Sequence, residues 1–245
     1  MKGISSKFWQ ASNLDSYNRK VFSQNGEDGI IEEIFRRIGT DSKYSVEFGV
    51  EDGSECNTRF LIEQRGWDSL RMDGSDNNPE HIKKEYITPE NINKLFKKYN
   101  VPKNLDLLSI DIDSNDIYVW KALNTEYRPR LVIVEYNATI APCFSEAVKY
   151  EPGLTWDGTN YFGASLLALY RMARIRGYSL VACDNNGVNA FFVRDDLLGK
   201  SLFPLSPADA YKPPRYGIEI EDGIKIGHNP SFREFVYINE DVDIV

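Results

Sequence analysis

The chain has 245 residues, a hydrophobic content of 42% and a formal net charge of −8 at pH 7, enough for one sizeable core in a single domain. The acidic balance, without a long run of Lys or Arg, argues against a nucleic-acid binder, whose phosphate affinity comes from clustered cations. Lys2, Lys7, Arg19 and Lys20 flank no continuous apolar stretch, so neither a secretory signal nor a membrane span is expected, and a soluble, cytoplasmic protein is.

After a polar arm over residues 1–22, acids at Glu27 and Asp28 and apolar residues at helical intervals predict a helix over Gly29–Ile38, closed by Gly39. The apolar run Tyr44–Phe48, which carries Glu47, predicts the first strand. It breaks into a glycine-spaced turn, Gly49-Val50-Glu51-Asp52-Gly53-Ser54. Glycines there permit positive φ and close approach of the backbone to a ligand. A helix is expected over Ser54–Arg65, and a second strand over Trp67–Met72 ends at Asp73. Asp73 stands 20 residues beyond Gly53 (73 − 53), the spacing at which a carboxylate meets ribose hydroxyls in nucleotide-binding α/β units.

A third strand is expected near Tyr86–Ile87 and a helix over Pro89–Phe96, with proline in its first turn. Thr88, at its start, is a candidate helix cap and cofactor-side residue. Leu105–Ile110 predicts the fourth strand, with Asp111 and Asp113 at its exit; Tyr118–Leu123 predicts a crossover helix and Leu131–Glu135 the fifth strand. Such apolar runs suit strands covered on both faces of a parallel sheet. Right-handed crossovers would gather Glu47, Asp73, Asp111 and Glu135 at one edge of it.

Residues 136–162 lack a period and are long for a structureless connection, which marks a functional loop. Within it Trp156, Asp157, Asn160 and Tyr161 combine flat faces with polar tips, suited either to a sugar or nucleotide-linked acceptor or to a packed lid. Gly163–Arg176 returns to helical spacing, and Tyr178–Cys183 with Val188–Val193 reads as a hairpin through Asn186-Gly187. The tail 195–245, with Pro204, Pro207, Pro213 and Pro214, shows no clear pattern. The whole is expected to be one doubly wound, Rossmann-like α/β domain, with its core over 23–194 and a C-terminal extension over 195–245.

Three readings stay open for Asp111, Asp113 and Glu135. Crowded carboxylates repel, so one can become a general base of raised pKa, the set can hold Mg²⁺ or Mn²⁺ through oxygen alone, or they form a structural acid network. Gln24, Glu27 and Asp28 either fold over a cofactor or cap the first helix. His81 reads as solvated surface, and His228 as a loop residue or a base supplied by the tail. Cys56, Cys143 and Cys183 are scattered without CxxC spacing, which predicts free thiols and no zinc cluster.

The turn Glu47–Gly53, the strand Leu107–Asp113, the strand ending at Glu135 and the closing hairpin together resemble the FkbM-type branch of class I S-adenosylmethionine-dependent methyltransferases. The resemblance spans roughly 23–194. It implies a seven-stranded sheet whose last strand is antiparallel, and O-methylation of a sugar or natural product, as in polysaccharide biosynthesis. It also implies a turn of Gly49, Gly53 and Ser54 under the cofactor's methionine part, with Glu47 near its amino or sugar groups. Metal-dependent class I O-methyltransferases place acidic and amide ligands at these strand ends, which makes Asp111, Glu135 and Asn137 the candidate metal set and Asn137 a substrate-side candidate. The chain departs from the family where many members have Asp-x-Glu-Gly and it has Asp111-Ile112-Asp113-Ser114. Its Trp156–Tyr161 loop marks a subgroup, and self-association is left open. The rivals are an NAD-dependent oxidoreductase, which would want Gly-x-Gly-x-x-Gly after the first strand, and a noncatalytic binding module of the same fold.

Overall fold

The computed structural model describes residues 14–199 and 201–243, so most of the N-terminal arm, residues 1–13, lies outside the described residues. A 3₁₀ turn at Leu14–Tyr17 precedes α1 (Glu27–Ile38), β1 (Tyr44–Phe48), α2 (Arg59–Arg65), β2 (Asp68–Asp73), β3 (Lys83–Lys84) and α3 (Ile92–Lys98). The chain continues through β4 (Leu107–Ile110), α4 (Asp116–Ala122), β5 (Leu131–Glu135), β6 (Glu146–Ala147) and α5 (Leu166–Ile175). It ends with β7 (Tyr178–Cys183), β8 (Asn189–Arg194), α6 (Pro207–Ala210) and β9 (Val236–Tyr237).

Seven strands form one sheet in the order β3-β2-β1-β4-β5-β8-β7. Every pair is parallel except those made by β8, which runs antiparallel to β5 and to β7. Both faces are covered, as near-continuous apolar strands require. Alternate residues divide between the faces: Leu108, Val132 and Val134 pack with α3, α4 and α5, whereas Leu107, Leu131 and Ile133 pack with α1 and α2. The expected α/β Rossmann-like fold is thus observed. Among the described residues no helix is long and apolar enough to cross a membrane.

Several boundaries differ from the sequence expectation, for local reasons. α2 begins at Arg59 rather than Ser54 because the backbone N–H groups of Asn57 and Thr58 are drawn back to the Glu47 carboxylate. The third strand is Lys83–Lys84, not Tyr86–Ile87, because Asn91 folds back on the segment, donating to the Tyr86 carbonyl and accepting from the Thr88 N–H. That turn also takes Pro89 out of the helix, which starts at Ile92. The loop 136–162 is not structureless: its β6 pairs with β9 of the tail, Glu146 opposite Tyr237, so the extension is folded back over the loop.

Candidate functional site

The parallel strands β1, β2, β4 and β5 end at a common edge, and between β1 and β4 the chain reverses the direction in which it builds the sheet. Crevices at such points are where α/β folds bind ligands. A cavity of about 590 Å³ lies there. Its charged lining consists of Glu27, Glu47, Glu51, Asp52, Glu55, Asp73, Asp111, Asp113 and Glu135, set against Arg215, Lys225 and the imidazole of His228.

Glu47 organises the turn after β1. Its carboxylate accepts the Asn57 N–H at 2.7 Å and the Thr58 N–H at 3.0 Å, together with the Thr58 hydroxyl. Burial raises its pKa, against the pull of these donors. Gly49 has φ +67°, and a Cβ at that position would fall 1.5 Å from the Asp111 carbonyl oxygen, so glycine here serves the backbone of the neighbouring strand. Gly49 and Ser54 line the cleft, but Gly53 does not: its missing Cβ faces Ile82 and Arg71, behind the turn. Glu51 adopts φ +47° and donates its N–H to Asp73 Oδ2 at 2.9 Å, while Ser75 N–H reaches Oδ1 at 2.8 Å. Each Asp73 oxygen therefore keeps a lone pair for a ligand hydroxyl.

At the centre of the cleft, Asp111, Asp113 and Glu135 bring carboxylate oxygens within 4.8 Å of one another. Asp113 holds a left-handed backbone, φ +59°, which turns it toward this group. Removal from water and the charges of its neighbours, Asp113 first, push Asp111 well above the usual carboxylate range. Glu135 is raised by the same two causes, with Asp111 as its main electrostatic neighbour. Among the described residues Glu135 Oε2 has no hydrogen-bond partner. Behind the trio Asp116, pushed up by burial to about 6, accepts the N–H groups of Ile112 at 2.8 Å and Ser114 at 3.0 Å and so fixes the turn.

The sequence reading missed Asn189. It is the β8 residue directly opposite Glu135, so the two side chains share a face. Asn189 is 4% exposed and donates to Glu27 Oε1 at 2.8 Å, and its own Oδ1 has no partner among the described residues. Asn186, Arg215, Tyr216 and Lys225 also line the cleft. An Asn-Gly turn and tail residues spaced by prolines signalled a hairpin and a coil, not a wall of the site. His228 does reach the cleft, with its ring 4.6 Å from Trp156 and 5.1 Å from Tyr216. Burial lowers its pKa and favours the neutral imidazole.

Of the sequence candidates, Gln24, Glu47, Gly49, Ser54, Asp73, Asp111, Asp113, Glu135 and Trp156 meet in the cleft. Asn137, a candidate for metal and substrate, does not. It is fully buried, its amide donating to the carbonyls of Asn160 and Phe162 and its oxygen accepting the Thr139 N–H and hydroxyl. Asp157 accepts from Thr159 within its own turn, and Asn160 ties the loop to Ser231 of the tail. Tyr161 is buried, its hydroxyl accepting the Lys149 N–H and its ring packed against Phe235. Thr88 sits in the Asn91 turn, away from the cleft. These residues hold the loops together, so of the candidates Trp156, Asp157, Asn160 and Tyr161 only Trp156, 41% exposed, lines the cleft. The cysteines are free, with Cys56 and Cys183 buried.

No family model and no curated protein sequence matches the chain.

Proposed function

We propose that the protein is an S-adenosylmethionine-dependent O-methyltransferase of the FkbM type. Its acceptor on this reading is a sugar, a nucleotide-linked compound or another small polar metabolite of surface-glycan or natural-product biosynthesis in the cytoplasm. One observation carries this reading: carboxylates dominate the charged lining of the cleft at the strand ends, nine of them against Arg215 and Lys225. A cofactor with a sulfonium and an ammonium group complements that field, whereas the pyrophosphate of a dinucleotide would meet Glu51, Asp52 and Glu55 on the very turn where it should be cradled. The reversed β8 between β5 and β7 also agrees with the sheet that the family resemblance implies.

S-adenosylmethionine supplies an electrophilic methyl group. The residues present fit it: the free lone pairs of Asp73 suit ribose hydroxyls, and Glu47 holds the turn that Gly49 and Ser54 present. Asp111 and Glu135 stand at the cationic end. The acceptor hydroxyl must be held in line with the methyl group and lose a proton, and position contributes most of the rate. An ionised carboxylate of the Asp111–Glu135 pair, its pKa raised by burial and its neighbour, is suited to receive that proton. Trp156 and the neutral His228 offer flat faces to an acceptor on the opposite wall. Oxygen ligands from Asp111, Asp113 and Glu135 also suit Mg²⁺ or Mn²⁺, which would relieve their repulsion and orient an acceptor oxygen. Asn189 Oδ1, unpartnered beside Glu135, takes the amide place first given to Asn137.

The test is titration calorimetry with S-adenosylmethionine, S-adenosylhomocysteine and NAD, each with and without Mg²⁺. Micromolar binding of the two sulfur nucleosides alone is expected. Binding of NAD alone would transfer the assignment to an oxidoreductase, and binding of none would leave a noncatalytic module.

A further inference from the structure

A second cavity, of about 610 Å³, adjoins the acidic cleft, and the two share Arg215 and Lys225. Among the described residues these are the only Lys or Arg side chains on the cleft wall, and neither has an acidic partner. Arg215 is fixed by its backbone N–H, which donates to the Asn186 carbonyl at 2.9 Å. Lys225 belongs to a hairpin whose alternate residues Ile220, Ile224 and Ile226 share one face and are 46%, 54% and 47% exposed. Ile224 and Ile226 continue into the second cavity, beside Pro213 and Pro214. The two hydroxyl side chains there already spend their protons: the Tyr211 hydroxyl donates to the Ala138 carbonyl and the Thr139 hydroxyl to Asn137. Beyond the two cations, Ile224, Ile226, Pro213 and Pro214 give the groove an apolar wall.

We propose that this junction binds a phosphate group carried on a hydrocarbon arm, with the phosphate between Arg215 and Lys225 and the arm along the isoleucine-lined groove. On the methyltransferase reading, on which this assignment of its occupant rests, the occupant is the non-reacting end of the methyl acceptor. Two unpaired cations match a phosphate in charge, and the arginine can grip it with two N–H groups. The phosphate also stays clear of the carboxylates, because both cations lie where the acidic cleft gives way to the apolar groove.

The test titrates the full chain with hexyl phosphate, inorganic phosphate and uridine diphosphate, in the parent, Arg215→Gln/Lys225→Gln and Ile226→Asp proteins. All three positions are exposed, and thermal melting checks that the variants fold. Hexyl phosphate is expected to bind at least about tenfold tighter than inorganic phosphate, the worth of roughly two buried methylenes. The double variant should lose at least about tenfold for both phosphates, and Ile226→Asp should erase only the advantage of the hexyl arm. Equal affinity for hexyl and inorganic phosphate, tighter binding of uridine diphosphate, or a double variant that binds like the parent would each overturn the proposal. S-adenosylhomocysteine is titrated in parallel. Its failure to bind beside intact hexyl phosphate binding would sink the cofactor reading and spare the phosphate site, and the reverse result would sink the site alone.

Discussion

Gly49→Ala and Gly53→Ala distinguish clearance for the backbone from clearance for a flexible side chain. Both glycines have positive φ, +67° and +78°. Alanine therefore carries a similar conformational cost at each, about 1–2 kcal/mol. The surroundings differ. At position 49 the new Cβ would lie 1.5 Å from the Asp111 carbonyl oxygen. That contact must open by roughly 2 Å to reach van der Waals separation, and only by moving the exit of β4 away from β1. Overpacking of this kind adds about 1–3 kcal/mol, for a total of roughly 2–5 kcal/mol. At about 2–4 °C per kcal/mol in a chain of this size, the melting temperature should fall by roughly 4–20 °C. Asp111 moves with its carbonyl, and on the methyltransferase reading a displacement of about 1 Å is enough to cost on the order of 100-fold in activity.

At position 53 the nearest atoms are the ends of the Ile82 and Arg71 side chains, at 2.9 and 3.2 Å, and both can swing aside. Gly53→Ala should therefore cost about 1–2 kcal/mol and under tenfold in activity. The assay pairs thermal melting with S-adenosylhomocysteine calorimetry on the two variants side by side. Equal melting temperatures, or a Gly49→Ala protein that binds like the parent, would refute the assignment of Gly49 to the β1–β4 contact.

Asp73→Ala should weaken S-adenosylhomocysteine by at least about tenfold, since hydrogen bonds to a charged group are worth roughly 1.5–3 kcal/mol each. Asp76→Ala, an exposed neighbour, should leave binding within about twofold, and an unchanged constant for Asp73→Ala would remove it from the site. Mn²⁺ at about 100 times its dissociation constant should stabilise the parent at pH 8 by about 2.7 kcal/mol and have no effect on Glu135→Gln. No response in the parent, or full activity in excess chelator, rejects an exchangeable metal. Burial, with the nearby Glu27 charge, raises Asp184 from 3.8 to about 6 in the folded protein. Its stabilising contribution is therefore whole below about pH 4 and lost as pH rises through 6, about 3 kcal/mol by pH 8. Asp184→Asn should melt with a smaller difference between pH 5 and pH 8 than the parent, and an equal difference would refute the assignment.

The central strands were legible because β1, β4 and β5 are mainly apolar, Ser45, Glu47 and Ser109 aside, and acids lie at or near their ends. Position at or near a strand end therefore anticipated that Glu47, Asp73, Asp111 and Glu135 meet in one cleft. What failed was whatever long-range hydrogen bonds decide. The start of α2 depends on Glu47, ten residues from Asn57. β3 is a pair of exposed lysines that register opposite Met72 and Asp73, and no local preference announces it. Asn137 follows Glu135 by two residues, yet its amide is consumed in holding the 160–162 loop. Asn189 lies 54 residues from Glu135 (189 − 135) and meets it only because β8 runs backwards. The tail was opaque for the same reason: its role comes from pairing with β6 and from placing Arg215, Lys225 and His228 at the cleft.

The electrostatics of the cleft bear directly on what can occupy it. Two unit charges 4.8 Å apart, the limit within which the oxygens of Asp111, Asp113 and Glu135 lie, repel by about 3 kcal/mol at an effective dielectric constant of 20. Three such pairs would cost about 10 kcal/mol, comparable to the whole stability of a typical domain. Burial, together with this mutual repulsion, raises Asp111 and Glu135 above the usual carboxylate range. Protonation, or positive charge supplied from outside, relieves that repulsion. A sulfonium or a divalent cation meets that need, and each would be bound in competition with protons. A dinucleotide pyrophosphate would add two negative charges to the same space. On the proposed reading the sign of this field discriminates between ligands before any hydrogen bond is made, and Arg215 and Lys225, shared by the cleft and the adjoining groove, are where an anionic group would be accepted.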